Sequence, residues 1–145
     1  MRAVLAFTFM IICAMIAWID IQKQKIYNGA VAALFVPAIV SFFVFPEMQV
    51  MSRVWGALSV SGIMLLTSLV VPEAFGGGDI KMMVPVGLFL GLERTLVAGM
   101  LALTAGLVWY LVNLGKIKRF AFGPALCIGS ITAFFCGQYI WQWLI

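Results

Sequence analysis

Long apolar runs separated by short polar segments repeat along the whole 145-residue chain. Six runs can be delimited, at residues 4–19, 29–45, 54–71, 80–92, 95–114 and 121–145. A helix that crosses a bilayer takes about 20 apolar residues, within a range of about 17 to 25. The pattern therefore predicts an all-α integral membrane protein, a bundle of about six transmembrane helices. The fourth run is short and contains Pro85, which leaves open a kinked or partial span.

The composition agrees with a membrane protein. Hydrophobic residues make up 65% of the chain and charged residues only 10%, whereas soluble domains are about half apolar and a quarter charged. No linker, repeat or low-complexity segment separates the runs, so we expect a single domain over residues 1–145. The first run follows Arg2 as in a signal sequence, but no small-residue cleavage pattern comes after it. We interpret it as a retained first helix.

Basic residues are distributed unequally between the two sides that alternating connections define. One side carries Lys23, Lys25, Lys81, Lys116, Lys118 and Arg119, and the other carries Arg2, Arg53 and Arg94. The positive-inside rule places the richer side in the cytoplasm and both ends of the chain outside. Topology thus accounts for the net charge of +4. The basic residues form no stripe with interleaved aromatics, so we expect no nucleic-acid partner.

The cysteines give no sign of a metal site or another cofactor. Cys13, Cys127 and Cys136 lie inside apolar runs without CxxC spacing, and the chain has no histidine to complete a zinc site. We expect them to be small apolar packing residues. The absence of histidine also excludes Ser-His and Cys-His nucleophile pairs.

The chain has two aspartates, Asp20 and Asp79, and each lies where an apolar run meets the predicted cytoplasmic side. Ionisable groups at the hydrocarbon boundary are costly and are often functional. Two carboxylates brought together in a poorly solvated site share a proton, so one can act as base on a water and the other as acid. This is the chemistry of aspartic peptidases. For Asp20 alone, a solvated helix cap is the alternative.

Three consecutive glycines, Gly76, Gly77 and Gly78, precede Asp79. Glycine allows close backbone approach, so an extended substrate could lie beside the carboxylate, although a flexible connector would also be rich in glycine. Lys81 follows two residues later. It could bias which aspartate keeps the proton, or it could be a snorkelling lysine that sets topology.

Three ordered segments resemble the type IV prepilin peptidases, which belong to the GxGD class of intramembrane aspartyl proteases. The segment Gly-Gly-Gly-Asp ending at Asp79 resembles the GxGD element, and Ile-Lys-Met follows it. The segment from Asp20 to Asn28 resembles the first-aspartate segment, with Tyr27 in place of the usual proline. The segment Phe-Ala-Phe-Gly-Pro at residues 120–124 resembles the family's Phe-Gly-Pro at the start of the last helix.

The resemblance implies a peptidase that removes the leader of prepilins or pseudopilins after a glycine at the cytoplasmic face of the bacterial inner membrane. It implies Asp20 and Asp79 as the catalytic pair. We expect substrate contacts from Gly76, Gly77, Gly78, Lys81 and Asn28. The resemblance is closest to the short peptidases associated with Tad/Flp-type pili, without the CxxC region that is associated with N-methylation. The implied partners are a prepilin and membrane lipid, and no cofactor is implied.

Other functions remain open on the sequence. Asp20 and Asp79 could bind a cation in a small transporter or channel, with the glycines as an unwound coordinating segment. Such sites tend to lie near the membrane midplane, often in proteins with an internal repeat, and the chain has neither feature. A non-catalytic assembly subunit and a presenilin-like protease that cuts inside a helix are two further alternatives.

Overall fold

The computed structural model describes residues 1–72, 75–112 and 122–145, and within these ranges all regular structure is helical. The helices are α1 (Arg2–Lys23), α2 (Asn28–Val44), α3 (Val50–Val70), α4 (Gly77–Leu90), α5 (Leu92–Val112) and α6 (Gly123–Leu144). Four of them, α1, α3, α5 and α6, are long and apolar enough to cross a membrane. The prediction of a polytopic helical membrane bundle is confirmed. Lys116, Lys118, Arg119, Leu114 and Ala121, at the predicted run ends and the connection between them, lie outside the described residues.

The fourth apolar run forms the buried centre of the bundle. Helix α4 packs against α2, α3, α5 and α6, and Met82, Met83 and Val86 are fully buried within it. Pro85 lies inside the helix without ending it. Gly91 has a φ of 78°, a value that favours glycine, and it joins α4 directly to α5. The fourth run is therefore one helix of 14 residues that other helices surround.

Close backbone contact holds the central helix against α3. A Cβ atom built on Gly56 would lie 2.7 Å from the carbonyl oxygen of Gly87. In a bilayer, helices associate mainly through van der Waals packing, and small residues let their backbones approach. Elsewhere, Phe9 of α1 stacks on Phe89 of α4 with ring centroids 4.2 Å apart. Cys13 and Cys127 are buried as predicted, whereas Cys136 is exposed on α6.

The two ends of the bundle carry different chemistry. We call the end where α1, α3 and α5 stop the carboxylate end, because Asp20 and Asp79 lie there. We call the opposite end the arginine end, because it carries Arg2, Arg53 and Arg94. Arg2 pairs there with Glu47 over 2.8 Å. The two aspartates thus share one end, as the alternation of helices predicts.

Arg53 is fully buried near the arginine end. Its guanidinium donates to the carbonyl oxygens of Ser41 (3.0 Å), Phe45 (2.9 Å) and Leu88 (3.1 Å), and also to the Ser41 hydroxyl. These carbonyls lie where α2 and α4 end, where the helix itself leaves backbone acceptors unpaired. Those of Ser41 and Phe45 also accept a backbone N–H, from Phe45 and Met48 respectively. The sequence indicates only a topological role for Arg53. In the structure it joins α3 to the ends of two other helices.

Candidate active site

Asp20 lies buried in the last turn of α1 and contacts the first residue of α6. Its Oδ2 accepts a hydrogen bond of 3.0 Å from the backbone N–H of Gly123. The first N–H groups of a helix have no partner within it, and the positive end of the helix dipole lies there. Asp20 therefore caps a helix distant in sequence, and it does so while buried, whereas the alternative that the sequence left open was a solvated cap. The contact fixes one carboxylate oxygen.

Asp79 lies buried in the first turn of α4. Gly76 precedes this helix in an extended conformation, and its N–H donates to the Asp79 carboxylate. A side chain in the first turn that reaches back to the amide before the helix forms half of a capping box. The other oxygen of Asp79, Oδ1, is buried and has no hydrogen-bond partner among the described residues. That oxygen of Asp79 is thus available to a substrate or a water.

The two carboxylates act on each other electrostatically. Asp79 belongs to α4, outside the four helices that qualify as spans. Burial first, and then the charge of Asp20, raise the pKa of Asp79 to about 7, against the Gly76 N–H bond, which lowers it. Near neutral pH the pair can therefore hold one proton, which is the condition for one acid and one base.

The three glycines before and within α4 have different surroundings. A Cβ atom built on Gly78 would lie 2.7 Å from the Cβ of Ile26, in the connection between α1 and α2. A Cβ atom on Gly77 would meet nothing within 4 Å, and one on Gly76 would lie 3.0 Å from Asp79 Oδ2. Gly78 is thus required for the chain's own packing, a reason that the sequence does not reveal.

Lys81 and Asn28, two of the expected substrate contacts, lie next to each other at the surface. The Lys81 ammonium donates a long hydrogen bond of 3.5 Å to Asn28 Oδ1 and so links α4 to α2. The pKa of Asp79 is set by its burial, by the charge of Asp20 and by the hydrogen bond from Gly76. Lys81 therefore has a partner on α2 rather than a direct contact with the carboxylate.

Tyr27, which stands where the resembling family has proline, has proline-like backbone angles. Its φ of −77° and ψ of 140° place it in the extended region just before α2. Proline fixes φ at about −65°, with a spread of about 15°. Tyr27 therefore has the backbone conformation that a proline would have at this position. The chain between Asp20 and α2 needs no different path because of the tyrosine.

Gly123 is the site residue whose role the sequence did not reveal. It belongs to the Phe-Gly-Pro segment, which contributed to the family resemblance but gave no indication of what Gly123 does. A proline just inside a helix start is a recognisable signal, and Pro124 gives it here. Nothing in the sequence links that helix start to Asp20, because 103 positions separate Gly123 from Asp20.

Comparison with known proteins gives one match. A family model described as the type IV leader peptidase family matches residues 7–111, which is more than half of the chain. The matched range contains both aspartates, Asp20 and Asp79, whereas Gly123 and the rest of α6 lie beyond it. No curated protein and no solved structure matches the chain.

Proposed function

Because the chain belongs to the type IV leader peptidase family, we propose that it is an aspartic endopeptidase of the GxGD class, with Asp20 and Asp79 as its catalytic pair. Its substrates are prepilins or pseudopilins, whose leader it removes after a glycine at the cytoplasmic boundary of the bacterial inner membrane. One observation carries this proposal. The two aspartates of the chain are buried at the same end of the bundle, where the charge of one acts on the other.

In the proposed reaction, Asp20 is the base and Asp79 is the acid. Asp20 takes a proton from a water, and the resulting hydroxide attacks the scissile carbonyl. Asp79 gives its proton to the carbonyl oxygen, which forms a gem-diol. The C–N bond then breaks as the proton on Asp20 passes to the departing amine, and one hydroxyl of the gem-diol returns a proton to Asp79. The raised pKa of Asp79 supports its role as the acid. The bond from Gly123 to one oxygen of Asp20 supports its role as an oriented base.

The position of the pair favours a bond at the membrane boundary. Asp20 is in the last turn of a predicted span, and Asp79 is in the first turn of the central helix. A peptide bond inside a regular helix hides its carbonyl in a hydrogen bond, so the scissile segment must be extended. A glycine there weakens the helix by roughly 1 kcal/mol relative to alanine. A single-helix prepilin with a short basic leader in the cytoplasm meets these requirements.

We further propose cleavage without methylation, as in the short peptidases associated with Tad/Flp-type pili. The chain has three cysteines, and none has the CxxC spacing of the region that is associated with N-methylation in longer relatives. Mass spectrometry of the processed pilin decides the point. An unmodified new N-terminus is expected when this protein is the only peptidase present, and a methylated one contradicts the proposal.

The direct test is co-expression with prepilins encoded by the same organism. Wild-type protein should produce a mobility shift equal to the leader length, and Asp20→Asn and Asp79→Asn should each abolish it. Glu93→Gln is the matched control, because Glu93 is an acidic residue on α5 at the arginine end, and it should cleave normally. All variants must be present in the membrane fraction. Full cleavage by either aspartate variant excludes the assignment, and a cation transporter would give no shift with any variant.

A further inference from the structure

An apolar groove adjoins the carboxylate end, between α3, α5 and the start of α6. Its volume is about 330 Å³, and its wall includes Ile63, Met64, Met100, Leu103, Phe75 and Phe122. The wall also contains the hydroxyl of Thr67, which donates to the Ile63 carbonyl of its own helix over 2.8 Å. The groove therefore suits an apolar ligand with no polar group to satisfy.

The groove begins where the two carboxylates are held. The rings of Phe75 and Phe122 lie 5.4 Å apart in its wall. Phe75 immediately precedes Gly76, whose N–H binds Asp79, and Phe122 immediately precedes Gly123, whose N–H binds Asp20. One end of the groove is thus one residue from each of the glycines that bind the aspartates.

The groove extends away from that end for about two helical turns. Its wall runs from Thr67 to Val60 on α3 and from Leu103 to Leu96 on α5, a separation of seven positions or about 10 Å along each helix. Ile63, Met100 and Leu103 are more than half exposed, so the groove opens on the outer surface of the bundle. In a membrane that surface faces lipid.

We propose that this groove binds one face of the substrate's apolar helix, in the first two turns after the scissile bond. The inference rests on the proposed function. A helix with its side chains is about 10–12 Å wide, so the groove receives side chains from one face rather than a whole helix. Residues spaced by three, four and seven positions on that face are the natural anchors. The groove wall contains the residues that immediately precede Gly76 and Gly123, the two glycines bound to the aspartates, and this position favours the substrate over a lipid chain.

A groove-filling variant and a matched neighbour test the proposal. Ile63 is 60% exposed and lines the groove, and Leu66 is 65% exposed on the same helix outside it. The probe is a synthetic peptide with a basic leader, one glycine and a 20-residue apolar helix. With the full chain in vesicles, Ile63→Trp should raise KM for this peptide about tenfold with little change in kcat, and Leu66→Trp should match wild type. Equal kinetics for the two variants overturn the proposal.

Photocrosslinking separates failure of the groove from failure of the proposed function. A benzophenone amino acid is placed at position 63 or at position 66 in an Asp79→Asn background, so that the peptide is retained. An adduct with the peptide at position 63 but not at 66 supports the groove, even if wild-type protein cleaves nothing. Equal adducts at the two positions, or lipid adducts alone at position 63, overturn it.

Discussion

Gly78 lies so close to Ile26 that a Cβ atom built on it would come within 2.7 Å of the Ile26 Cβ. Gly78 immediately precedes Asp79, and Ile26 belongs to the connection that follows Asp20 and α1. The contact therefore sets the first turn of α4 against the segment that leaves α1. A larger residue at position 78 would have to move the start of α4 or the segment that follows Asp20.

We first predict that Gly78→Ala greatly reduces cleavage, by roughly 100-fold, because the added methyl group must displace the Ile26 backbone or α4. Gly77→Ala should retain activity, since its Cβ would meet nothing within 4 Å. The measurement is kcat/KM on a prepilin, with membrane insertion checked for each variant. The double variant Gly78→Ala with Ile26→Gly should recover part of the loss. If it recovers nothing while folding normally, the glycine serves the approach of the substrate instead.

Our second prediction concerns Gly123. A Cβ atom there would lie 2.5 Å from Asp20 Oδ2 and 2.9 Å from its Cγ, so Gly123→Ala must move the carboxylate. We expect a fall in kcat of about 100-fold or more with KM nearly unchanged. Gly29→Ala is the control, because Gly29 lies in the first turn of α2 with open space around its Cα. Equal kinetics for the two variants would exclude a role for the Gly123 contact in placing Asp20.

The third prediction is a loss of activity above neutral pH. Asp79, with a pKa of about 7, is protonated below that pH and ionised above it. If it is the acid, kcat/KM should fall about tenfold per pH unit on the alkaline side, with an apparent pKa near 7 that belongs to the coupled pair. A profile that stays flat from pH 6 to 9 would contradict this role for Asp79.

The stability of the folded protein should also depend on pH through the protonation of Asp79. The folded state binds the Asp79 proton more tightly than the unfolded state, whose pKa is near 3.8. Stability should therefore fall as the pH rises from about 4 to 7 and stay lower beyond that range. Asp79→Asn removes this dependence. Thermal unfolding in detergent at pH 5 and pH 8 should show a larger difference for wild type than for Asp79→Asn.

The fourth prediction separates a buried arginine from an exposed one. Arg53→Leu removes four hydrogen bonds of a buried guanidinium and should cost roughly 3 kcal/mol of stability, although the carbonyls of Ser41 and Phe45 each keep a backbone N–H donor. Arg2→Leu breaks an exposed ion pair with Glu47 and should cost less than about 1 kcal/mol. The measurement is the melting temperature of each variant in detergent. Equal losses would mean that the Arg53 contacts contribute little.

The helices could be predicted from the sequence because a chain in lipid must satisfy its backbone polar groups within each span. The fourth run was the least certain, and the structure explains why: α4 has other helices around it and reaches only from Gly77 to Leu90. The shared end of Asp20 and Asp79 followed from counting alternating spans. The positions of the helices and the shared end of the aspartates can both be derived from the local hydrophobic pattern and the alternating direction of successive helices.

The contacts that hold the aspartates could not be predicted in the same way. Asp20 and Gly123 are brought together by the packing of α1 against α6, and no periodicity encodes that packing. Arg53 is a similar case, since its charge indicated a side of the membrane while its partners are backbone carbonyls. Backbone groups are present at every position, so sequence alone does not single out the ones that bind.

The bond between Asp20 and Gly123 also imposes an order on biosynthesis. Asp20 leaves the ribosome 103 residues before its hydrogen-bond donor, which is roughly 5 to 20 s at ordinary rates of translation. During that interval α1 to α5 can insert while the Asp20 carboxylate still lacks the amide that orients it. The aspartate pair is complete only when α6 has joined α1 in the bilayer. The contact that orients the Asp20 carboxylate is therefore an interaction that forms late, after the five earlier helices are already available for insertion.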